Sequence, residues 1–178
     1  RLNVVLTHHA RTIDALMQEE REVIEKMLQM KSLESIYSHI LMLKRQYGYA
    51  RGEVRHLLDR ETIHSSLMPA LAACLSKKAV YYYNLIFAVY YWMTFEHDLA
   101  FRHSKQLTRT NECNVLPNDY ISGLLQHITS SVCIIRFREA VDTIDQSEQY
   151  INDNKLNQSL PSTYLMLTYH SIYKMIVY

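Results

Sequence analysis

No glycine or proline interrupts the chain before Gly48, and the whole sequence holds only three of each. Turns of β-sheet proteins draw heavily on those two residues, so a chain this poor in them is committed to long helices. The apolar positions agree. Ile13, Leu16, Met17, Ile24, Met27 and Leu28 recur every three or four residues, with the polar run QEERE on the other face. The same period resumes at Leu33, Ile36, Tyr37, Ile40 and Leu43, and nothing between the two segments breaks a helix. Thr12–Gln29 and the segment after it are therefore expected to form one long helix, closed by a turn that Gly48 and Gly52 bracket.

With 178 residues and no segment that reads as a linker, one all-α domain spanning residues 1–178 is expected. The most apolar stretch, AVYYYNLIFAVYYWM (Ala79–Met93), is too short for a membrane span and is followed closely by charge, so it reads as a buried helix. Serines 65 and 66 with Pro69 fit the start of that helix, which is expected to end after Phe101. Asn111–Pro117 reads as a loop, Asn118 as the cap of a helix from Asp119 to about Ala140, Asp145–Gln158 as a weak helix followed by a loop, and Pro161 as the start of a last helix. The chain starts at Arg1 without a signal-peptide pattern, as expected of a mature fragment or of the ordered part of a longer protein.

A formal charge of +1 excludes a global field for polyanions, so any nucleic-acid site has to be local. Cys74, Cys113 and Cys133 are odd in number and lack CxxC spacing, which argues against a disulfide framework or a zinc site and for a reducing compartment, cytoplasm or nucleus. Local basic character is densest around Arg51, Arg55, His56, Arg60 and His64. Arginines one turn apart can contact successive phosphates, so these five are the candidate nucleic-acid-binding residues, with a plain solvated helix face as the alternative. RGEVRH (Arg51 to His56) also fits the short R-x4-H pattern of some helical ribonucleases, although that pattern is common in charged helices.

Other clusters carry less. Lys77 with Lys78, and Arg102 with Lys105 and Arg109, read as ordinary surface. Glu96, His97, Asp98 and His103 are ligand types, but neighbours on a helix point in different directions, so they read as a solvated helix end. Glu61 and His64 form a lone ExxH without the partners that a di-iron bundle needs. The tyrosines 81, 82, 83, 90 and 91 with Trp92 could stack bases, yet a continuous aromatic and apolar helix is more often core or subunit interface, and it is read here as an assembly surface. In NDYISGLL, Asp119 reads as a helix-start residue facing free amides, and Gly123, one turn inside, as a close-packing position.

Three blocks, in this order, resemble the translin family. REVIEKMLQ followed by SLESIYSHILML resembles its first helix, with a two-residue insertion between the halves. FAVYYWMTFE lies where the family has an apolar, aromatic helix, and DYISGLL is similar to its DYLSGVL. The closing SIYKMIVY follows the last helix in spacing, while residues 47–80 and 145–159 match poorly. The resemblance implies an antiparallel bundle of about seven helices that assembles into closed, hollow octamers and binds single-stranded RNA and DNA.

It further implies a possible catalytic partner like translin-associated factor X, which cuts RNA at a magnesium site of acidic side chains. Here the positions aligned with two of those acids hold Tyr82 and Leu85, and a third holds Ser130, none of them able to replace a carboxylate ligand. Only Asp119 remains, a weak metal candidate on its own. The expectation is thus a non-catalytic subunit with no cofactor of its own, magnesium entering only with a catalytic partner, and with no membrane association. A helical interaction scaffold without nucleic-acid binding, or a divergent magnesium-dependent endoribonuclease, are the alternatives.

Overall fold

A computed structural model describes residues 2–109, 115–156 and 161–177, with the side chains of residues 2–13, 161, 162, 164 and 165 left aside. These residues form seven α-helices and no strand: α1 (Leu2–Tyr47), α2 (Glu53–Glu61), α3 (Lys77–Met93), α4 (His97–Leu107), α5 (Pro117–Cys133), α6 (Phe137–Asp153) and α7 (Pro161–Val177). Most of the loop read over residues 111–117 lies outside the described residues. Among those described, no helix is long and apolar enough to cross a membrane.

The unbroken period does yield a single α1. Its second half turns Leu33, Ile36, Tyr37, Ile40 and Leu43 into the core, whereas Leu16 and Leu28 in the first half stay 60% and 63% exposed. The apolar stripe of residues 14–28 thus stands clear of the bundle.

Helix α3 is the centre of the core. Tyr81, Tyr82, Leu85, Ile86, Ala88, Val89, Tyr90 and Met93 are buried in one cluster with the α1 residues, which corrects the reading of the aromatic run as an assembly surface. Tyrosines serve as core here because their hydroxyls find partners: those of Tyr81 and Tyr82 donate to the backbone carbonyl and the carboxylate of Asp119, and that of Tyr90 donates to Asp59 at 2.6 Å. Helix α4 runs back along α3, and α5 then lies parallel to α3, as the contacts of Tyr81 with Asp119 and of Gln126 with the Ala88 carbonyl require. Helices α6 and α7 cover the far side of α5.

Several boundaries differ from the sequence reading. Helix α3 starts not near Pro69 but at Lys77, where the Ser76 hydroxyl accepts the Ala79 amide at 3.0 Å; residues 71–73 form only a single 3-10 turn. Helix α5 starts two residues early, with Pro117 in its first turn and Asn118 inside rather than capping. The expected helices ending after Phe101 and near Ala140 are each two helices, and α6 reaches Asp153.

One device makes both breaks and also ends α6. Phe95, Ile135 and Lys155 take left-handed backbone angles, with φ of 63°, 61° and 49°. At each corner the next amide reaches back five residues, from Glu96 to the Tyr91 carbonyl, from Arg136 to Ser131 and from Leu156 to Ile151. This is the Schellman closure, which ordinarily recruits glycine. Ile135 is a β-branched residue in that conformation and is 75% exposed, so its side chain offers little contact against the strain. Ile135→Gly is expected to stabilise the bundle by about 0.5–1 kcal/mol, measured by urea denaturation; an unchanged or lower stability contradicts the strain.

Candidate nucleic-acid interface

Where α1 ends, Gly48 turns the chain with a φ of 67° and its amide bonds the Lys44 carbonyl. Two residues on, the Ala50 amide donates to the Met93 carbonyl at 2.9 Å, which pins the α1–α2 loop to the C-terminus of α3. That single bond sets Tyr49 between Trp92 (ring centroids 4.7 Å apart, planes at 26°) and Phe95 (4.3 Å, 17°). Both ends of the three-ring stack are closed by cations: Lys44 Nζ lies 4.5 Å from the Trp92 ring and the Arg51 guanidinium 4.8 Å from that of Phe95. Tyr49 and Phe95 are 41% and 42% exposed, so the stack meets solvent.

The five candidate basic residues do not form one face. Arg51 caps the stack. Arg55, one turn later, points inward: its Nε donates to Asp59 at 2.9 Å, and its Nη2 to the Tyr90 hydroxyl at 3.0 Å and to Glu96 at 3.3 Å. Those bonds clamp α2 to the α3–α4 corner and commit the guanidinium to acids rather than phosphates. His56 and Arg60 lie one turn apart on the exposed side of α2, Arg60 paired to Glu61 at 2.9 Å. His64, also exposed, follows the end of that helix, its amide bonded to the Asp59 carbonyl.

Lys44, Tyr49, Trp92 and Phe95 were not singled out together by the sequence. The signal that exists is local: aromatic and basic residues alternate in YGYAR (Tyr47 to Arg51), and Trp92 and Phe95 are three apart. Nothing in the order of residues places position 49 beside 92.

At the other end of α3 the Asp119 carboxylate sits in the first turn of α5 and accepts the Tyr82 hydroxyl. Burial, then that hydrogen bond, raises the Tyr82 pKa and keeps its phenol neutral. Positions 82 and 119 therefore meet, but Ser130 lies eleven residues farther along the same helix, about 16 Å at 1.5 Å per residue, too far to share an ion with Asp119. Among the described residues no group of three or more histidine, cysteine, aspartate or glutamate side chains could hold a metal.

The reading of Glu96, His97, Asp98 and His103 as a solvated helix end fails for His103. Its ring is stacked on Phe87 and Tyr91 at 5.4 and 5.5 Å and bonds Asn84 at 2.9 Å. Burial lowers its pKa.

Comparison of the chain with protein-family models, with curated proteins and with solved structures finds no match.

Proposed function

We propose that this chain is a single-stranded RNA- or DNA-binding subunit of a translin-like oligomer that supports a catalytic partner in small-RNA or transfer-RNA processing. The observation that carries the binding is the solvent-facing stack of Trp92, Tyr49 and Phe95 between Lys44 and Arg51. Bases of a single strand stack on aromatic faces whatever their sequence, and nearby cations track the backbone. A base takes the place of the Arg51 guanidinium on the Phe95 face, and the freed guanidinium pairs the neighbouring phosphate. His56, Arg60 and His64 lie exposed on and after α2, the helix that follows Arg51. The assembly part rests on the sequence blocks that resemble the family and on the exposed stripe of α1.

Fluorescence anisotropy with a labelled single-stranded RNA of about twenty nucleotides, together with native mass by light scattering, tests both parts. Expected are a mass of several chains, binding at low salt that weakens as salt rises, and a loss of roughly tenfold or more for Tyr49→Ala and for Arg51→Ala. Arg55→Ala, in contrast, lowers stability by breaking the α2 clamp. Absence of binding at low salt overturns the reading.

A helical scaffold for protein partners is the second reading, favoured by the exposed Leu16, Met17, Ile24, Met27 and Leu28. Under it the RNA titrations stay flat while glutamate at Leu16 and Ile24 changes the native mass.

A further inference from the structure

Beside the stack, residues of α1, α3, α5 and α7 line a half-open cavity of about 470 Å³, a size typical of small-ligand sites. Tyr37, Leu41, Val89, Leu125 and Tyr173 make most of its wall apolar or aromatic. Its charged lining is one-sided: Lys44 and Arg45 contribute two cations and no acid lines it.

Lys44 is the sharper of the two. Its ammonium donates to Gln126 Oε1 at 3.1 Å and lies over the Trp92 ring, and no carboxylate among the described residues pairs with it. Gln126 is held in that role, since its own amide nitrogen is turned to the Ala88 carbonyl and the Ser130 hydroxyl. An ammonium has three donors, and one neutral acceptor with one ring face does not satisfy them. Even a partly buried cation without a counter-ion is unfavourable, and burial pushes the Lys44 pKa down to about 8. An anion arriving in the cavity removes that imbalance.

We propose that this cavity binds a small planar molecule carrying one anionic group, a carboxylate or a phosphate, with its ring among the apolar walls and its charge on Lys44. The cavity shares Lys44 and Trp92 with the stack but not Tyr49, Phe95 or Arg51, so Tyr49→Ala tests the nucleic-acid surface alone and Leu125→Trp the cavity alone.

Calorimetric titration of the purified protein with 2-naphthoate, 2-naphthyl phosphate and neutral 2-naphthol tests it, the shared ring isolating the charge. At least one anion is expected to bind once per chain and about tenfold or more tighter than 2-naphthol, and whichever anion binds better identifies the group preferred. Lys44→Met should bring the anions to the level of 2-naphthol without changing 2-naphthol itself, and Leu125→Trp, which fills the cavity, should abolish all three. The unmodified protein gives an independent readout: naphthoate affinity should fall as pH rises through 8. The other titratable groups facing the cavity are the Arg45 guanidinium and the phenols of Tyr37, Tyr169 and Tyr173. Equal binding of 2-naphthol and the anions, an anion preference that survives Lys44→Met, a naphthoate affinity indifferent to pH, or no heat from any probe at millimolar concentration overturns it.

Discussion

Gly123→Ala is expected to cost the bundle about 2–3 kcal/mol, although helix propensity taken alone favours alanine by about 1 kcal/mol. The sign is decided by what stands opposite the glycine. A methyl group built there would overlap the Tyr81 hydroxyl and approach Leu107 Cβ to 3.3 Å. Neither neighbour yields freely. Tyr81 is buried in the core and its hydroxyl donates to the Asp119 carbonyl at 3.1 Å, while Leu107 is fully buried at the end of α4. Urea denaturation followed by circular dichroism measures the loss. A companion variant identifies its cause: Tyr81→Phe removes the overlapping oxygen at the cost of one hydrogen bond, about 1 kcal/mol. The double variant should therefore be clearly more stable than the sum of the two single losses implies. If Gly123→Ala proves neutral or stabilising, the close approach of α3, α4 and α5 at this point is wrong.

His127 should make the protein acid-sensitive. It lies on α5 at 3% exposure, its Nδ1 2.9 Å from the Ser104 hydroxyl and its ring against Phe101. Ser104 donates its proton to the Phe101 carbonyl, so the hydroxyl is left to accept from an Nδ1–H of the neutral ring. Burial lowers the pKa to about 4, with Glu139 pulling weakly the other way. An unfolded histidine takes up a proton near pH 6.5. Between there and pH 4 the unfolded chain binds a proton that the folded chain refuses, so stability falls as pH falls through this window and levels off below it. The difference is worth about 2–3 kcal/mol by pH 4.5. Denaturation at pH 7 and pH 4.5, for the unmodified protein and for His127→Gln, should show the gap between them shifting by that amount in favour of the variant. Parallel losses in both would assign the acid sensitivity to other groups.

The parts of the fold that could be read from sequence are those decided by local chemistry. An all-α class and a single α1 follow from period and from missing breakers, and the packing role of Gly123 follows from a residue that propensity alone would not choose. The α3–α4 and α5–α6 corners were hidden for the complementary reason. Phe95 and Ile135 occupy backbone angles that normally announce themselves with glycine, so nothing in FAVYYWMTFEHD or SSVCIIRFREA marks a stop. The aromatic run misled because hydropathy reports that a face is covered without reporting by what; here α1, α4 and α5 of the same chain cover it. Among the candidate basic residues, Arg51 and Arg55 looked equivalent at one turn apart. Their difference is tertiary: Arg51 finds Phe95, and Arg55 finds Asp59 and Glu96. The stack itself depends on the Ala50 amide meeting the Met93 carbonyl, a contact between segments more than forty residues apart.

The length of α1 gives the molecule leverage. Forty-six residues at 1.5 Å each make a rod of about 69 Å, and with no glycine or proline inside it the rod has no built-in pivot before Gly48. Whatever grips residues 14–28 holds one end of a lever whose other end carries Lys44 and Arg45 into the cavity and, across Gly48, sets Tyr49 between Trp92 and Phe95. A small tilt imposed on the free arm is delivered as a torque at those two sites.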